Sequence, residues 1–461
     1  MKKLLLLLIF FPFLSFSQNI SGTIISQKDN LPLEDTNIFA LSSKTGTITN
    51  KNGEFSIKLL SKYKDNEILE FSHVGYVTKR LTLNYLIKHK YKISLEEKVE
   101  NLSDVVITSS YKLKPKVPFH KLNSSKYAVF SFGSFLKDDK IYVIGGDASF
   151  EADVLERIRS QRADFTLTTY LENPNYYAKL SYYRREFSIY DIKTDTWEYP
   201  KLDLKLQKRA YHNIHYYNNS IYVLGGKRTI VNQKSTWEYL QDQIEVIDLN
   251  NKTVKVDNTN PHQAADFASF SYKDNIIVMG GSVKSDENGK KVYSSKVHLY
   301  NISSGYWYEL DDMSSAKETT GIVIDDKIYI IGGNNGKPVS QIESFDLNTQ
   351  TWQTEGQLFS GLEKPALSHH DNIIYIYEDQ LLYTFDLKTK QLKEYETELA
   401  LKYAAMHFDN NKLYIIGGRS ENKYTKTPSA DVFSINIEDF KNTNITKAKV
   451  LSKEINLAKV D

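Results

Sequence analysis

The feature that most constrains this chain is a recurring apolar hexapeptide. Ile-Tyr-Val-Ile-Gly-Gly begins at Ile141 and returns as Ile-Tyr-Val-Leu-Gly-Gly at Ile221, Ile-Ile-Val-Met-Gly-Gly at Ile276, Ile-Tyr-Ile-Ile-Gly-Gly at Ile328 and Leu-Tyr-Ile-Ile-Gly-Gly at Leu413. A sixth copy, Ile-Tyr-Ile-Tyr-Glu-Asp at Ile374, lacks the glycines. The period averages about 54 residues, a spacing that belongs to repeated β-units rather than to helical solenoids. Each hexapeptide is too short for a helix and is fed by a turn such as Asp138-Asp139, Asn218-Asn219 or Asn410-Asn411, so each reads as a buried strand. Downstream, an aromatic and an acid or amide precede a Trp by seven and six positions: Tyr190-Asp191 with Trp197, Tyr300-Asn301 with Trp307, Phe345-Asp346 with Trp352. Ile247-Asp248 with Val254 and Phe385-Asp386 with Leu392 are weaker copies.

This combination resembles the kelch repeat over about residues 126–450. The resemblance implies a six-bladed β-propeller, with the paired glycines ending a buried strand where backbones crowd and the aromatics packing between blades. The last strand of the ring is expected either from about residues 443–451 or from the segment just before blade one.

A second pattern precedes the repeats. Short strand-like runs at 22–25, 36–40, 46–49, 54–57 and 68–72 alternate with turn residues, as in an all-β sandwich. Gly46-Thr47 through Gly53-Glu54-Phe55, followed by Phe71-Ser72-His73-Val74-Gly75-Tyr76, resembles the carboxypeptidase regulatory-like domain, a transthyretin-like sandwich common in exported proteins of Bacteroidetes. Asn50 stands where that family usually has Asp, and either side chain can close the turn. The resemblance implies a folded spacer or docking module without peptidase chemistry. The run from Leu95 to Thr108 is similar to the segment that follows this domain in TonB-dependent receptors, and is expected to complete the sandwich or begin a linker.

Lys2 and Lys3, the apolar run 4–11 and Ser15-Phe16-Ser17 have the layout of a signal peptide cleaved before Gln18. The apolar stretch is shorter than the ~20 residues that span a membrane. The expected organisation is therefore a signal peptide at 1–17, a sandwich at 18–98, a linker at 99–125, a six-bladed kelch propeller at 126–451 and a tail at 452–461. The expected fold class is all-β, with helix confined to the blade-one insertion. The expected destination is the periplasm, the outer-membrane periphery or the medium.

Composition narrows the function. The chain holds 59 basic and 57 acidic residues, and 57 of each once Lys2 and Lys3 are cleaved away. That balance gives nucleic acid no global attraction. With no cysteine, disulfides, zinc–thiolate sites, thiol nucleophiles, lipoprotein anchors and the Tyr–Cys copper site of galactose oxidase are all ruled out. Sialidase Asp boxes, nucleophile elbows and phosphate-binding glycine loops are absent from the sequence. His212/His215 and His369/His370 have spacings that send neighbouring strand residues to opposite faces, which argues against a shared metal. No metal or cofactor is expected.

What remains is loop architecture. Long second-to-third-strand loops are expected at 147–185, 227–242, 282–295 and 419–429, all leaving one face of the disc, against a short one at 334–340. Basic residues just ahead of the first strands (Lys208, Arg209, Lys317, Lys364, Lys402) suggest a basic rim on that face, interrupted by Asp266. The residues singled out for ligand binding are Tyr176, Tyr177, Arg184, Arg185, Arg228, Trp237 and Arg419, because aromatic and Arg side chains dominate binding hot spots. The expected function is an exported, non-enzymatic interaction protein of the cell envelope that presents propeller loops to a protein or glycan partner. The alternative is a periplasmic sugar epimerase acting on an acidic sugar, resembling the six-bladed kelch N-acetylneuraminate epimerases.

Overall fold

The computed structural model of the protein describes residues 17–60, 67–98, 112–161, 177–180, 182–231, 236–257, 259–285 and 290–451, with 166, 168 and 171. The expected signal peptide, apart from Ser17, and the expected tail lie outside the described residues. The chain divides into two compact units, Met1–Ser110 and Tyr111–Asp461.

In the first unit, Ser17–Ser26 pairs antiparallel with Glu54–Leu60 and parallel with Lys92–Leu95. A second sheet runs in the order Thr45–Ile48, Asn37–Ala40, Ile68–Ser72, Lys79–Thr82. Alternate residues of these strands (Ile20, Ile24, Ile38, Ala40, Phe55, Ile57, Leu69, Phe71) meet in one core, as the two-residue side-chain period requires. Asn50 closes its turn as expected: its Oδ1 accepts from the amides of Asn52 at 2.9 Å and Glu54 at 3.0 Å. The run from Leu95 begins inside the sheet and Glu97 bridges to Tyr76, so its described start belongs to the sandwich, while 99–108 lie outside the described residues. One element has no counterpart in the sequence pattern. The helix Leu83–Lys88 starts from Thr82, whose Oγ1 accepts from the Tyr85 amide, and it buries Leu83 and Leu86, three positions apart. Six residues are too few for their hydrophobic period to stand out.

In the second unit, six antiparallel sheets make the blades among the described residues. Blade one is Gly133–Lys137, Lys140–Asp147, Tyr183–Asp191, Thr196–Glu198, and blade two is Asn213–Tyr217, Ser220–Leu224, Ile244–Asp248, Thr253–Asp257. Blade three is Ala268–Tyr272, Asn275–Met279, Val297–Asn301, Tyr306–Leu310, and blade four is Gly321–Ile324, Lys327–Ile331, Val339–Asp346, Thr351–Leu362. Blade five is Ala366–His370, Ile373–Glu378, Leu381–Asp386, Gln391–Glu396, and blade six begins Ala405–Asp409, Lys412–Ile416, Val432–Asn436. The six repeated hexapeptides are the second strands, and their leading Ile141, Ile221, Ile276, Ile328, Ile374 and Leu413 are fully buried.

The downstream signature has a two-part physical basis. Its aromatic and Trp face each other across the third and fourth strands, with ring centroids 5.1 Å apart for Tyr190–Trp197 and 4.9 Å for both Tyr300–Trp307 and Phe345–Trp352. Its acid closes the turn between those strands, as Asp346 Oδ1 does by accepting from the amides of Asn348 and Thr349 at 3.0 Å.

The ring closes through the segment before blade one. His120–Leu122 pairs with Val432–Asn436 as the outer strand of blade six. Residues 447–450 instead add a fifth strand to blade five, beside Gln391–Glu396. The expected linker at 99–125 is therefore corrected. From Lys114 onward the segment is propeller: Lys114 bridges to Thr443, Val117 to Thr397, and the Val117 side chain is fully buried. Its prolines and lysines suggested a linker because sequence composition does not reveal a strand zipped to a distant edge.

Candidate functional site

Each glycine pair has both φ angles in the left-handed range, from +59° to +116° across the five blades that carry one. A Cβ at Gly226 would collide with the Ala210 carbonyl, so no other residue fits. The turn brings the residue after the glycines back against the segment leading into the first strand. Five two-way backbone bridges result: Phe130 with Asp147, Ala210 with Lys227, Ala265 with Ser282, Glu318 with Asn334, and Lys402 with Arg419.

The residue after the first partner in each bridge turns toward the axis. Four of these hold left-handed backbones: Ser131 (φ 48°), Tyr211 (62°), Asp266 (53°) and Tyr403 (56°). That conformation is uncommon outside glycine and costs on the order of 1–3 kcal/mol per residue. A circle of backbone hydrogen bonds holds it in place. The Ser131 amide donates to Tyr403 O (3.2 Å), Tyr211 to Ser131 O (2.7 Å), Asp266 to Tyr211 O (3.2 Å) and Thr319 to Asp266 O (3.0 Å).

Blade five breaks this circle, and its missing glycines explain how. Glu378, in the first glycine position, is buried, and its carboxylate accepts from the amides of Glu363 at 2.9 Å and Lys364 at 2.7 Å. A side chain thus replaces the backbone pairing of the other blades. Lys364 then reaches across the ring to Asp266, 2.5 Å away.

The circle forms the floor of a funnel of about 240 Å³ lined by Tyr211, Lys227, Asp266, Lys291, Glu318, Thr319, Glu363, Lys364, Tyr403 and Arg419. Four cations and three carboxylates meet there. Lys291 pairs with Glu318 at 2.7 Å. The Arg419 guanidinium pairs with Glu421 and lies over Phe130 (4.8 Å) and Tyr403 (4.5 Å). Tyr211 donates to buried Asp147 at 2.5 Å. Burial raises the Asp147 carboxyl above the ordinary range, against the lowering pull of Ser149 and Tyr211. Burial likewise drives the Tyr211 and Tyr403 phenols far up, so both are neutral hydrogen-bonding groups.

The long loops surround this funnel as hairpins. Lys227–Val231 pairs with Thr236–Leu240, and Ser282–Ser285 with Lys291–Tyr293. The blade-six hairpin, Arg419–Glu421 with Thr425–Pro428, pairs with Phe150–Asp153 of the blade-one insertion, which in turn pairs with Tyr177–Leu180. The two excursions are thus one four-stranded sheet. The helix expected in the blade-one insertion is Val154–Gln161, preceded by the strand Phe150–Asp153, with Asp153 Oδ1 accepting from the Glu156 amide at 2.8 Å.

Of the seven residues singled out from sequence, Arg419 lines the funnel, and Arg184, Arg185 and Arg228 do not. Arg184 is packed, its guanidinium 4.9 Å from the ring centres of both Tyr127 and Tyr182. Arg185 faces a separate groove with Tyr127 and Tyr199. Arg228 sits in the blade-two hairpin, 3.8 Å from Asp242. Trp237 pairs with Ile230 in that hairpin, and Tyr177 pairs with Asp153 in the insertion. Tyr176 lies outside the described residues.

The basic rim is corrected as well. Arg209 and Lys317 are buried inside their blades, paired with Glu245 at 2.5 Å and Glu343 at 2.6 Å. Lys364 and Asp266 do reach the funnel, but as one ion pair, so the rim is of mixed charge. Sequence reasoning missed Tyr211, Lys291, Glu318, Thr319, Glu363 and Tyr403. A usable signal exists for Tyr211, Thr319 and Tyr403: each stands two residues ahead of its blade's first strand.

Comparison with known proteins agrees with this architecture. Residues 175–343 match the Attractin/LZTR1 beta-propeller family, and residues 20–107 match the CarboxypepD_reg-like domain. An F-box/kelch-repeat protein of Arabidopsis thaliana is 29% identical over 87 residues, covering 18% of this chain and 23% of the relative. The Kelch repeat and BTB domain-containing protein 2 of Cowpox virus (strain Brighton Red) is 30% identical over 142 residues, covering 30% of this chain and 25% of the relative. The chain thus spans about a quarter of the length of these curated relatives. A solved structure, that of YjhT, superposes with a TM-score of 0.51 at 11% identity, over 67% of this chain and 95% of that one, a likeness of fold. The chain carries a CarboxypepD_reg-like domain ahead of a β-propeller whose sequence is similar to kelch-repeat proteins.

Proposed function

We propose that this is an exported interaction protein whose loop face engages a protein partner, with an acidic group of the partner seated at the funnel. The observation that carries this reading is the convergence of three hairpin systems on one face, around a funnel that presents Lys227, Lys291, Lys364 and Arg419. A rigid ring displaying adaptable loops is the arrangement recognition uses. Site-directed photo-crosslinking in cells tests it and identifies the partner in the same step. A crosslinker at Tyr239, exposed on the blade-two hairpin, is expected to capture a discrete protein, and Lys227→Ala should abolish the adduct. Capture only from Tyr306, exposed on the outer edge of blade three, would contradict the reading.

A second reading, a sugar epimerase acting on an acidic sugar, draws support from one feature. Asp147, with its raised carboxyl, and neutral Tyr211 share a proton-bearing contact beside the funnel cations. Catalysed mutarotation of an acidic sugar that disappears in Tyr211→Phe would favour it over the interaction reading.

A further inference from the structure

A second recess lies away from the funnel, along the seam between blades one and two. Two cavities, of about 320 and 360 Å³, share Phe187, Tyr199, Pro200 and Leu202 and so form one elongated groove. Each half lies near the lower end of the ~300–1,000 Å³ typical of small-molecule sites. Three features give the groove a chemical preference.

The first is charge. One half is lined by Arg185, Lys201 and Lys205 against a single carboxylate, Glu186, which already faces Arg184 at 3.8 Å. Among the described residues, none of those three cations lies within 4.0 Å of a carboxylate, whereas every cation at the funnel is paired. The second is an aromatic platform. Tyr199 is partly exposed, stacks on Trp197 at 6.5 Å with 15° between planes, and meets Tyr127 edge-on at 5.5 Å. The platform is fixed, because the Tyr199 hydroxyl accepts from the Lys126 amide at 2.7 Å.

The third is the state of the neighbouring backbone. The outer strand of blade one, Thr196–Glu198, is flanked by Asn123 at its start. Asn123 donates from its amide to Asp195 Oδ1 (2.9 Å) and from Nδ2 to Asp195 O (2.8 Å), while Trp197 Nε1 donates to Asn123 O (3.0 Å). These bonds use Asp195 and the Trp197 indole rather than the backbone of Thr196–Glu198, so an extended peptide is the competing occupant that the poly-glutamate comparator tests. While one half of the groove is lined by Glu198, Asp248 and Lys252, the other offers a ring face beside three cations. That set suits a chain of pyranose rings bearing carboxylates.

We infer that the blade one–blade two seam is a binding groove for an anionic polysaccharide of the uronate type, separate from the loop face. Titration calorimetry with an oligogalacturonate tests this on the whole protein, with its methyl-esterified form and a poly-glutamate peptide as comparators. The expected result is salt-sensitive binding of the uronate, weakened at least about tenfold in Arg185→Ala/Lys205→Ala. Tyr199→Ala should weaken it similarly, while Tyr199→Phe, which keeps the ring face, stays within about twofold of the original. Arg419→Ala at the funnel should leave it unchanged, which keeps this outcome distinct from that of the loop-face reading. Equal binding of poly-glutamate with indifference to Tyr199→Ala would make the groove an acidic-peptide or general electrostatic surface and overturn the inference. So would uronate binding that survives Arg185→Ala/Lys205→Ala in a protein of unaltered melting temperature, or no uronate binding at all.

Discussion

Buried histidines make the protein's stability depend on pH, His215 and His262 among them. His215 lies between Ser271 Oγ (2.9 Å) and Ser269 Oγ (2.7 Å), and burial pushes its imidazole down to about 4. His262 contacts the Gly280 carbonyl and His298 Nδ1, each at 2.9 Å, and burial, then the His298 charge, pushes it down to about 4 as well. In the unfolded chain both titrate near ~6.5. Between pH 6.5 and 4 the unfolded state therefore binds more protons than the fold. Stability is full above the upper limit and falls on acidification, by up to about 3 kcal/mol per histidine. Melting curves across that window should show the drop, and His215→Asn should reduce it by that residue's share. Glu378 supplies a second test. Its carboxylate serves two backbone amides that in other blades have backbone partners, so Glu378→Ala should cost about 2 kcal/mol in denaturant unfolding, with Glu378→Gln in between. An unchanged midpoint would mean that water replaces the carboxylate without loss.

The strands were largely legible because their signal is periodic and repeated. Six in-register hexapeptides with matched turns specify blades, and the left-handed glycines supply the reason for the pairs. The blade-one helix was legible from its own composition, whereas Leu83–Lys88, at six residues, was not. Ring closure was legible only as two alternatives, and the choice between them was not, for a different reason. His120–Leu122 has no strand pattern of its own and becomes a strand only because Val432–Asn436 offers it an edge. A protein beginning at Lys126 therefore leaves blade six with an open edge and removes buried Val117 from its pocket. Relative to one beginning at Lys112, it should melt more than about 5 °C lower and aggregate on heating. Equal melting would show that residues 447–450, rather than 120–122, close the ring in solution.

For the molecule as a whole, the loop-bearing face was legible and its centre was not. Loop lengths identified which side of the disc carries the excursions, since those lengths are counted directly between repeats. These funnel residues share a position two residues ahead of each first strand rather than a residue type: Tyr211, Asp266, Thr319, Lys364 and Tyr403 have no common chemistry for a motif to capture. A preference for Arg and Tyr led instead to Arg184, whose guanidinium is spent on Tyr127 and Tyr182. Hydrogen–deuterium exchange of the protein with and without its crosslink-identified partner tests the central claim most directly. The account predicts slowed exchange in the hairpins at 227–240 and 282–293 and in the segment 402–421 around the funnel. Protection confined to the turns of the opposite face, at 138–139, 218–219 and 325–326, with the hairpins unchanged, would contradict it.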